Sequence, residues 1–402
     1  MSSSVPAYVT PALLVWAREE AGFGLAEAAR RLKQPEARLA AWEGGEEQPS
    51  LRQAETMAKL YQRALSVFSL PAPPKLPPLA AEYRRLPGVK PGAEPPELRL
   101  AVRRLVQRRR LALHLFAELG DEPPDFTLRV HLAEPEEKAA VRVRAALDVP
   151  LEAQFEWSSE YVAFRAWRAA VERLGVLVNQ FPGKGVAEVR GTSVLHFPLP
   201  VVGVNSKEIP LSKPFTLLHE LVHLALAAAE EESPAATEAG ARTEQDWLEV
   251  ERFCEGVAGA ILLPAAALED DRDVSAQRRA GQWTIEAMRR ISRRYKVTPS
   301  AAVTRLWRLR LMPSAAYGAW KESWGAYRKA HPDRPGMAIT SPAEKAVTRN
   351  GPLFTSLVLG ALTGDRITSV DASHYLDVGY AHVEKLRGSW IERPGSLAGV
   401  TG

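Results

Sequence analysis

The sequence predicts an α+β protein that is mostly α-helical, with a small β-sheet near the middle of the chain. Apolar residues recur at helical spacing over most of its length. Three short segments rich in β-forming residues predict the strands, at Gly175–Gln180, Gly191–Phe197 and Val201–Asn205. An apolar segment without a helix breaker follows from Phe215 to Glu230, and it predicts a buried helix.

Composition indicates a globular, multidomain protein. The chain has 402 residues, of which 46% are hydrophobic and 25% charged, so two to four domains are expected. No apolar run reaches the roughly 18 residues that span a bilayer, and the N-terminus has no secretory signal pattern. The single cysteine, Cys254, excludes an intramolecular disulfide and a cysteine-based zinc cluster. We therefore expect a cytoplasmic protein with no membrane partner.

The N-terminal residues predict four short helices. The second runs over Gly24–Leu32 and a tight turn separates it from the third, Pro35–Trp42, which stops at a Gly-Gly pair. The fourth begins near Ser50. Two short helices joined by a tight turn, then Trp-Glu-Gly and a new helix start, resemble a Cro/repressor-type helix-turn-helix.

The charge of this N-terminal segment leaves its partner open. Residues 1–60 contain seven Lys/Arg against eight Glu, whereas a phosphate-binding module is expected to be clearly positive. The helix in the recognition position offers Gln34 and Arg38 for base contacts, among alanines. Binding to operator DNA and docking to a protein partner both fit this segment.

A proline-rich stretch at 71–96 predicts a stiff linker, and a helix follows from about Glu97 to Leu119. Between Arg84 and Arg110, nine basic residues face only two acidic ones. Such a run is usually a solvated face. Beside a helix-turn-helix it is also a candidate phosphate-binding surface, through Arg103, Arg104 and Arg108.

The strongest motif is His219-Glu220-x-x-His223 inside the predicted buried helix. Residues four apart lie on one face of a helix, so both imidazoles can bind one zinc ion, with Glu220 beside them as a general base. Burying two imidazoles and a carboxylate is costly unless they are paired or coordinated. A pair of core histidines beside a salt-bridged glutamate is the alternative interpretation.

A second predicted helix, Glu244–Leu262, supplies a third ligand. Glu251 lies 28 residues after His223 in this helix, which ends before Pro264. Cys254 has suitable chemistry for zinc, but a lone buried cysteine is more often a packing residue. Upstream, Glu136–Leu147 and Ser159–Leu174 predict amphipathic helices.

The last third of the chain is predicted to be helical and partly basic. Residues 278–310 contain ten basic residues against Glu286 and include a second helix-turn-helix-like pair around Val297. A third such pair starts near Ile367. The mixed composition of residues 322–350 favours a loop.

Taken together, these segments resemble the ImmA/IrrE family of metallo-endopeptidases in the form with an N-terminal Cro/repressor-type helix-turn-helix. Phe215-Thr-Leu-Leu-His-Glu-Leu-Val-His-Leu224 matches the family's zinc helix. In the second helix, Glu251, Ala258, Leu262 and Pro264 match the family pattern, whereas Cys254-Glu255 replaces the usual Ala-Asn and Val257 replaces Phe.

The resemblance implies a zincin-like peptidase domain in which His219, His223 and Glu251 bind Zn2+ and Glu220 is the general base. It also implies four regions: a helix-turn-helix (1–70), a linker with a basic helix (71–120), the peptidase domain (121–265) and a helical C-terminal region (266–402). The replacement of the usual Ala-Asn pair by Cys254-Glu255 predicts altered contacts around the zinc ligands. The sequence therefore supports zinc binding more strongly than it supports efficient proteolysis.

Family resemblance implies a zinc-dependent regulatory endopeptidase that cleaves a dedicated protein, such as a helix-turn-helix repressor, and so controls a stress-response or mobile-element operon. The alternative is a DNA- and protein-binding regulator, antitoxin-like, whose peptidase domain is structural or weakly active. Its partners would then be a small toxin and operator DNA. A homodimer is left open.

Overall fold

A computed structural model describes residues 5–75, 94–182, 189–229, 244–331 and 341–391. The chain divides into two compact units, one ending at Arg104 and the other beginning at Leu105, within a single helix. Each unit is described separately below. The four-region division drawn from the sequence stays a prediction, and most of the proline-rich linker lies outside the described residues.

The N-terminal unit is helical. Its elements are a short 3-10 helix, Leu65–Ser69, and α1 Pro11–Glu20, α2 Leu25–Leu32, α3 Glu36–Gly44, α4 Leu51–Tyr61 and the first part of α5 Pro96–Leu119. The four predicted short helices are thereby confirmed. Large apolar side chains from each helix form one core, including Leu13, Leu39, Trp42, Met57 and Tyr61.

Polar contacts fix the orientation of these helices. Arg18 in α1 donates two hydrogen bonds, of 2.8 and 3.0 Å, to the carboxylate of Glu43 in α3. Both side chains are nearly buried, and the two parallel hydrogen bonds fix the orientation of the guanidinium group relative to the carboxylate. Ser50 and Gln53 form a capping box that starts α4.

The second unit contains the sheet and the remaining helices. Its elements are the rest of α5, then α6 Glu136–Leu147, α7 Leu151–Glu156, α8 Glu160–Arg173, β1 Leu177–Phe181, β2 Gly191–Val194, β3 Val201–Asn205, α9 Lys213–Ala229, α10 Glu244–Leu262, α11 Ala265–Glu269, α12 Arg272–Ala280, α13 Ile285–Tyr295, α14 Pro299–Arg308, α15 Ser314–Ala330, α16 Pro342–Asn350, α17 Pro352–Thr363, α18 Ser369–Leu376 and α19 Tyr380–Ile391. An α+β fold, mostly α, is confirmed.

The three strands form one sheet in the order β1-β3-β2. β3 pairs with β1 in parallel, from Leu177 opposite Val201 onwards, and with β2 antiparallel, with Gly191 opposite Val204. All strand residues are buried, so the strands do not show the alternation of apolar and polar residues that a half-exposed strand would have, and polar residues such as Asn179 and Thr192 are buried with the rest. The strand at Gly191 is shorter than predicted, because its pairing ends at Val194.

Helix α9 packs against β2 and β3 on one side and against α8 and α10 on others. Leu217, Leu218, Leu221 and Leu224 are fully buried in the main core of this unit. The predicted helix break at Pro264 is confirmed, and the helix-turn-helix-like pairs appear as α13–α14 and α18–α19. No helix in the described part of the chain is long and apolar enough to cross a membrane.

The C-terminal helices are joined to the sheet by buried polar contacts. Asn179 in β1 donates to the Asn350 carbonyl over 2.6 Å, and the Leu353 amide donates to Glu172 in α8 over 3.0 Å. Burial raises the pKa of Glu172 to about 7. Arg168, also buried, lies 3.4 Å from Glu172 and donates to the carbonyls of Thr348 and Val178.

The predicted loop at 322–350 is wrong. Helix α15 continues to Ala330 and α16 begins at Pro342, while residues 332–340 lie outside the described part. Ser341 and Glu344 form a capping box with proline at the first helical position, a start signal that the mixed composition had obscured. An aromatic stripe on α15 packs against the core and supports that helix.

Replacing Gly351 with alanine is expected to destabilise this C-terminal junction. Gly351 has φ +93°, and a Cβ atom there would lie 2.5 Å from Glu172 Oε1 and 2.6 Å from the Val178 carbonyl oxygen. We expect Gly351→Ala to lower the free energy of unfolding by at least about 2 kcal/mol in chemical denaturation. Gly360→Ala is the control. Gly360 lies within α17, and the nearest atom to a Cβ there would be Leu119 Cδ1 at 3.8 Å. Its effect should stay below about 1 kcal/mol; equal losses in the two variants would contradict the argument.

Candidate metal centre

Helices α9 and α10 bring the three predicted ligands together. His219 and His223 lie one turn apart on α9, with ring centroids 4.6 Å apart and ring planes at 81°. Glu251 on α10 faces both rings. Among the described residues, these three form the group of His, Cys, Asp and Glu side chains whose ligand atoms are close enough to hold one metal ion.

The distances between the three side chains fit a tetrahedral metal ion. The two Nε2 atoms are 3.1 Å apart, His219 Nε2 is 3.3 Å from Glu251 Oε2, and His223 Nε2 is 3.4 Å from Glu251 Oε1. In a tetrahedral zinc site with ligand distances of roughly 2.0–2.1 Å, neighbouring donor atoms lie about 3.3–3.4 Å apart. The two carboxylate distances run to different oxygens of Glu251, and all three lengths are close to the edges of such a site. The three side chains therefore form a triangle of donors of the right size for one ion.

The chemistry of the donor set also fits zinc. His223 is almost fully buried, and the side chains of His219 and Glu251 are only 13% and 17% exposed. Two ring nitrogens and a carboxylate are the ligand types zinc uses, with an open fourth position for catalysis. Because these groups are largely removed from water, a bound cation would compensate the carboxylate charge and satisfy both rings.

Glu220 is held beside this triangle by the edge of the sheet. Its side chain is 2% exposed and lies against Gly191, the first residue of β2. A Cβ atom at Gly191 would lie 3.0 Å from both Cγ and Oε1 of Glu220 and 2.7 Å from Cγ2 of Thr216. Glycine is therefore required at this position if α9 is to approach the sheet this closely.

Two further side chains contact the histidine ligands. The Cys254 Sγ atom lies 3.3 Å from His223 Nδ1, so the sulfur can accept a hydrogen bond from the ring nitrogen that faces away from the triangle. Phe215 stacks on the His219 ring at a centroid distance of 6.4 Å. Sequence reasoning treated Cys254 as a packing residue, because nothing in a lone cysteine indicates contact with a ligand ring.

A second carboxyl group close to Glu220 was also missed. Thr216, one turn before Glu220 on α9, donates a 2.9 Å hydrogen bond to Glu208 Oε1. Burial raises the pKa of Glu208, while the Thr216 hydroxyl and the charges of Arg190 and Lys213 act in the opposite direction. The spacing of Thr216 and Glu220 was available from the sequence, but the position of Glu208 in the connection after β3 was not.

The residues predicted to contact DNA lie in the N-terminal unit and in α5. Gln34 is half-buried before α3, and Arg38 is exposed with its Nε 3.8 Å from Glu47. Arg103 is buried and donates to the carbonyls of Tyr61 and Glu20, and burial lowers its pKa to about 10. Arg104 is exposed and donates to Gln62, and Arg108 is half-buried. Their role in DNA binding stays a prediction.

Comparison with known families agrees with this centre. Residues 171–306 match the family model Peptidase_M78, the IrrE N-terminal-like domain. This part of the chain is therefore similar to the metallopeptidase domain of the ImmA/IrrE type, and that family is a zinc metallopeptidase family. The match covers the sheet, α9, α10 and the helices to α14, about a third of the chain. No curated protein matches the sequence.

Removing a ligand should abolish metal binding. We expect one zinc per chain in the purified protein, measured by elemental mass spectrometry, and less than a tenth of that in His223→Ala and Glu251→Ala, because two donors cannot retain the ion against buffer. His374→Ala, which removes an exposed histidine on α18, should bind zinc normally. Wild-type protein without zinc would contradict the assignment of this centre.

Cys254 should affect zinc affinity without being a ligand. We expect Cys254→Ala to weaken zinc binding by about tenfold, because His223 Nδ1 loses its acceptor and the ring becomes less well oriented. Cys254→Ser retains an acceptor and should bind zinc within a few-fold of wild type. Competition with a chromogenic chelator measures both affinities. Equal affinities for the alanine variant and the wild type would limit Cys254 to packing.

Proposed function

We propose that this protein is a zinc-dependent regulatory endopeptidase. One observation carries the proposal: the nitrogen and oxygen donors of His219, His223 and Glu251 converge at tetrahedral spacing, with Glu220 buried beside them. The ImmA/IrrE-type domain supports hydrolysis of peptide bonds as the reaction class.

His219, His223 and Glu251 would hold the ion. When bound, zinc would act as a Lewis acid that polarises the scissile carbonyl and lowers the pKa of a water molecule to about 7. Phe215 and Cys254 contact the two imidazole rings and fix their orientation, so that both Nε2 atoms point to the same place.

Glu220 would carry the proton. It lies one residue after His219 and one turn from Thr216, on the side of α9 that faces Gly191. As a general base it would take a proton from the attacking water and return it to the leaving amine, a role that contributes about 10²- to 10⁴-fold to rate. The sheet edge at Gly191 holds the carboxylate in place for this transfer.

The substrate we propose is a dedicated protein, such as a helix-turn-helix repressor, whose cleavage would switch on a stress-response or mobile-element operon. The resemblance to ImmA/IrrE proteins with an N-terminal helix-turn-helix supports this choice, as does the presence of four short helices in that unit. The single cysteine, which is buried and reduced, fits action in the cytoplasm.

A second candidate function is a regulator that binds DNA or a small toxin and whose peptidase domain is inactive. The sequence at 254–255 favours it, because Cys254-Glu255 replaces the Ala-Asn pair that is usual in the family this chain resembles. Glu255, in the position of the family's asparagine, is exposed and directed away from the buried core.

Glu220→Gln should separate these two functions. We expect this variant to retain zinc and to lose at least 100-fold in cleavage rate, because glutamine cannot take up a proton. Newly formed protein N-termini would be compared by mass spectrometry in cells carrying wild type or the variant. Glu255→Gln, which neutralises an exposed carboxylate on α10, is the matched control and should cleave as wild type does. Identical N-termini in all strains, with zinc still bound, would contradict the endopeptidase proposal and favour the regulator.

A further inference from the structure

The segment from α12 to the end of α15 has a large excess of positive over negative side chains. Residues 272–331 contain fourteen Lys/Arg and three Asp/Glu, a net charge of +11, whereas the whole chain has only +4. Several of these cations are used internally: Arg290 and Arg294 pair with Asp273, and Arg305 is buried against Glu137. The others include exposed side chains on α13, α14 and α15.

Helix α15 also bears a column of stacked aromatic rings. Trp320, Trp324, Tyr327 and His331 follow one another at three- to four-residue spacing, and adjacent ring planes differ by only 10–16°. Their centroids are 5.3, 5.4 and 4.3 Å apart in that order. Trp320 is buried at one end of the column, and His331 is exposed at the other.

A second stack lies where α14 meets α15. Trp307 stacks on Tyr317 at 4.8 Å and 14°, and it remains 39% exposed, an unusual exposure for so large an apolar side chain. Its indole nitrogen donates to Ser314, which fixes the ring plane. Trp307 therefore offers a flat, preoriented ring to solvent.

Cations flank both stacks. Lys321 Nζ lies 5.3 Å from the centre of the Tyr317 ring, and the Arg289 guanidinium lies 5.5 Å from the centre of Tyr327, to whose hydroxyl it also donates. At about 100° per residue, Lys321 and Arg328 lie on the same side of α15 as Trp324, and Glu322 lies on the opposite side. The aromatic face of the helix is therefore also its most basic face.

We propose that this surface, formed by Arg289, Trp307, Tyr317, Lys321, Arg328 and His331, binds single-stranded nucleic acid. Positive charge alone would accept any polyanion, but flat rings beside those charges match stacked bases next to phosphates. A duplex hides the faces of its bases, and an acidic peptide offers no planar group to stack, so both fit the surface less well.

This surface is distinct from the metal centre and from the N-terminal residues considered above for DNA binding. None of its members is a zinc ligand or contacts one among the described residues. The proposal therefore stands whether or not the protein cleaves peptides.

The test measures binding of the full-length protein to a fluorescently labelled oligothymidylate of about 15 nucleotides, a length comparable to known single-strand site sizes. We expect saturable binding that weakens with salt. Trp307→Ala should weaken it by about 5- to 150-fold, the range for loss of one stacked base. In the double variant Lys321→Glu, Arg328→Glu, the magnitude of the slope of log affinity against log salt should fall by about 1.4, because two phosphate contacts to a single strand are lost.

Two control variants and two competitors decide the outcome. Lys345→Glu, an exposed charge reversal on α16, and Arg52→Glu, an exposed charge reversal on α4 of the N-terminal unit, should both bind as wild type does. Circular dichroism confirms that each variant is folded, and the exposed charge variants test the surface even if Trp307→Ala is unstable. Absence of saturable binding would overturn the proposal. Loss of binding in Arg52→Glu but not in the surface variants would do the same, as would equal competition by duplex DNA or polyglutamate with no effect of Trp307→Ala.

Discussion

Burial of ionisable side chains on α9 is the constraint on which the rest of the second unit depends. The helix packs against the sheet, α8 and α10, so groups on several of its faces are removed from water. Two imidazoles and the Glu220 carboxylate within it would destabilise the fold if they had no partners. Glu251 on α10 contacts both imidazole rings, and a cation held by these three side chains would add to that compensation. The position of α10 is therefore linked to the burial of the two histidines on α9.

The small sheet also positions α9 and the C-terminal helices. β2 has a glycine where Glu220 approaches, and β1 provides polar side chains that contact α9 and the residues before α17. Gln180 accepts a 3.0 Å hydrogen bond from Lys213, the first residue of α9, and donates to the Thr348 carbonyl before the end of α16. The start of α9, which carries the candidate ligands, and the C-terminal helices therefore share one side chain, so the region beyond the family match contacts the same side chain that holds the start of this helix.

The basic residues are unevenly distributed along the chain, although its net charge is only +4. The basic run in α5 is only partly a solvated face: Arg99 and Arg103 hold the backbone of the N-terminal unit, and Arg109 donates to three carbonyls between His196 and Leu199. The basic segment from α12 to α15 keeps many of its cations on the surface instead. Two stretches of similar composition thus differ in use, because only packing decides which guanidinium groups meet buried carbonyls.

The sequence by itself determined most of the helices, the approximate positions of the three strands and the break at Pro264, and it predicted the candidate ligands His219, His223 and Glu251 with their neighbouring glutamate. Spacing along a helix places His219, Glu220 and His223 at fixed angles, and that local rule does not depend on the rest of the chain. Contacts between distant segments were decided only by the tertiary structure. Four such contacts bring together residues that are far apart in the sequence. They are the approach of Gly191 to Glu220, the thiol of Cys254 at His223, the hydrogen bond of Glu208 to Thr216, and the burial of Arg103. A linear pattern specifies which face of an element is apolar, but it does not specify which side chain of another element meets that face.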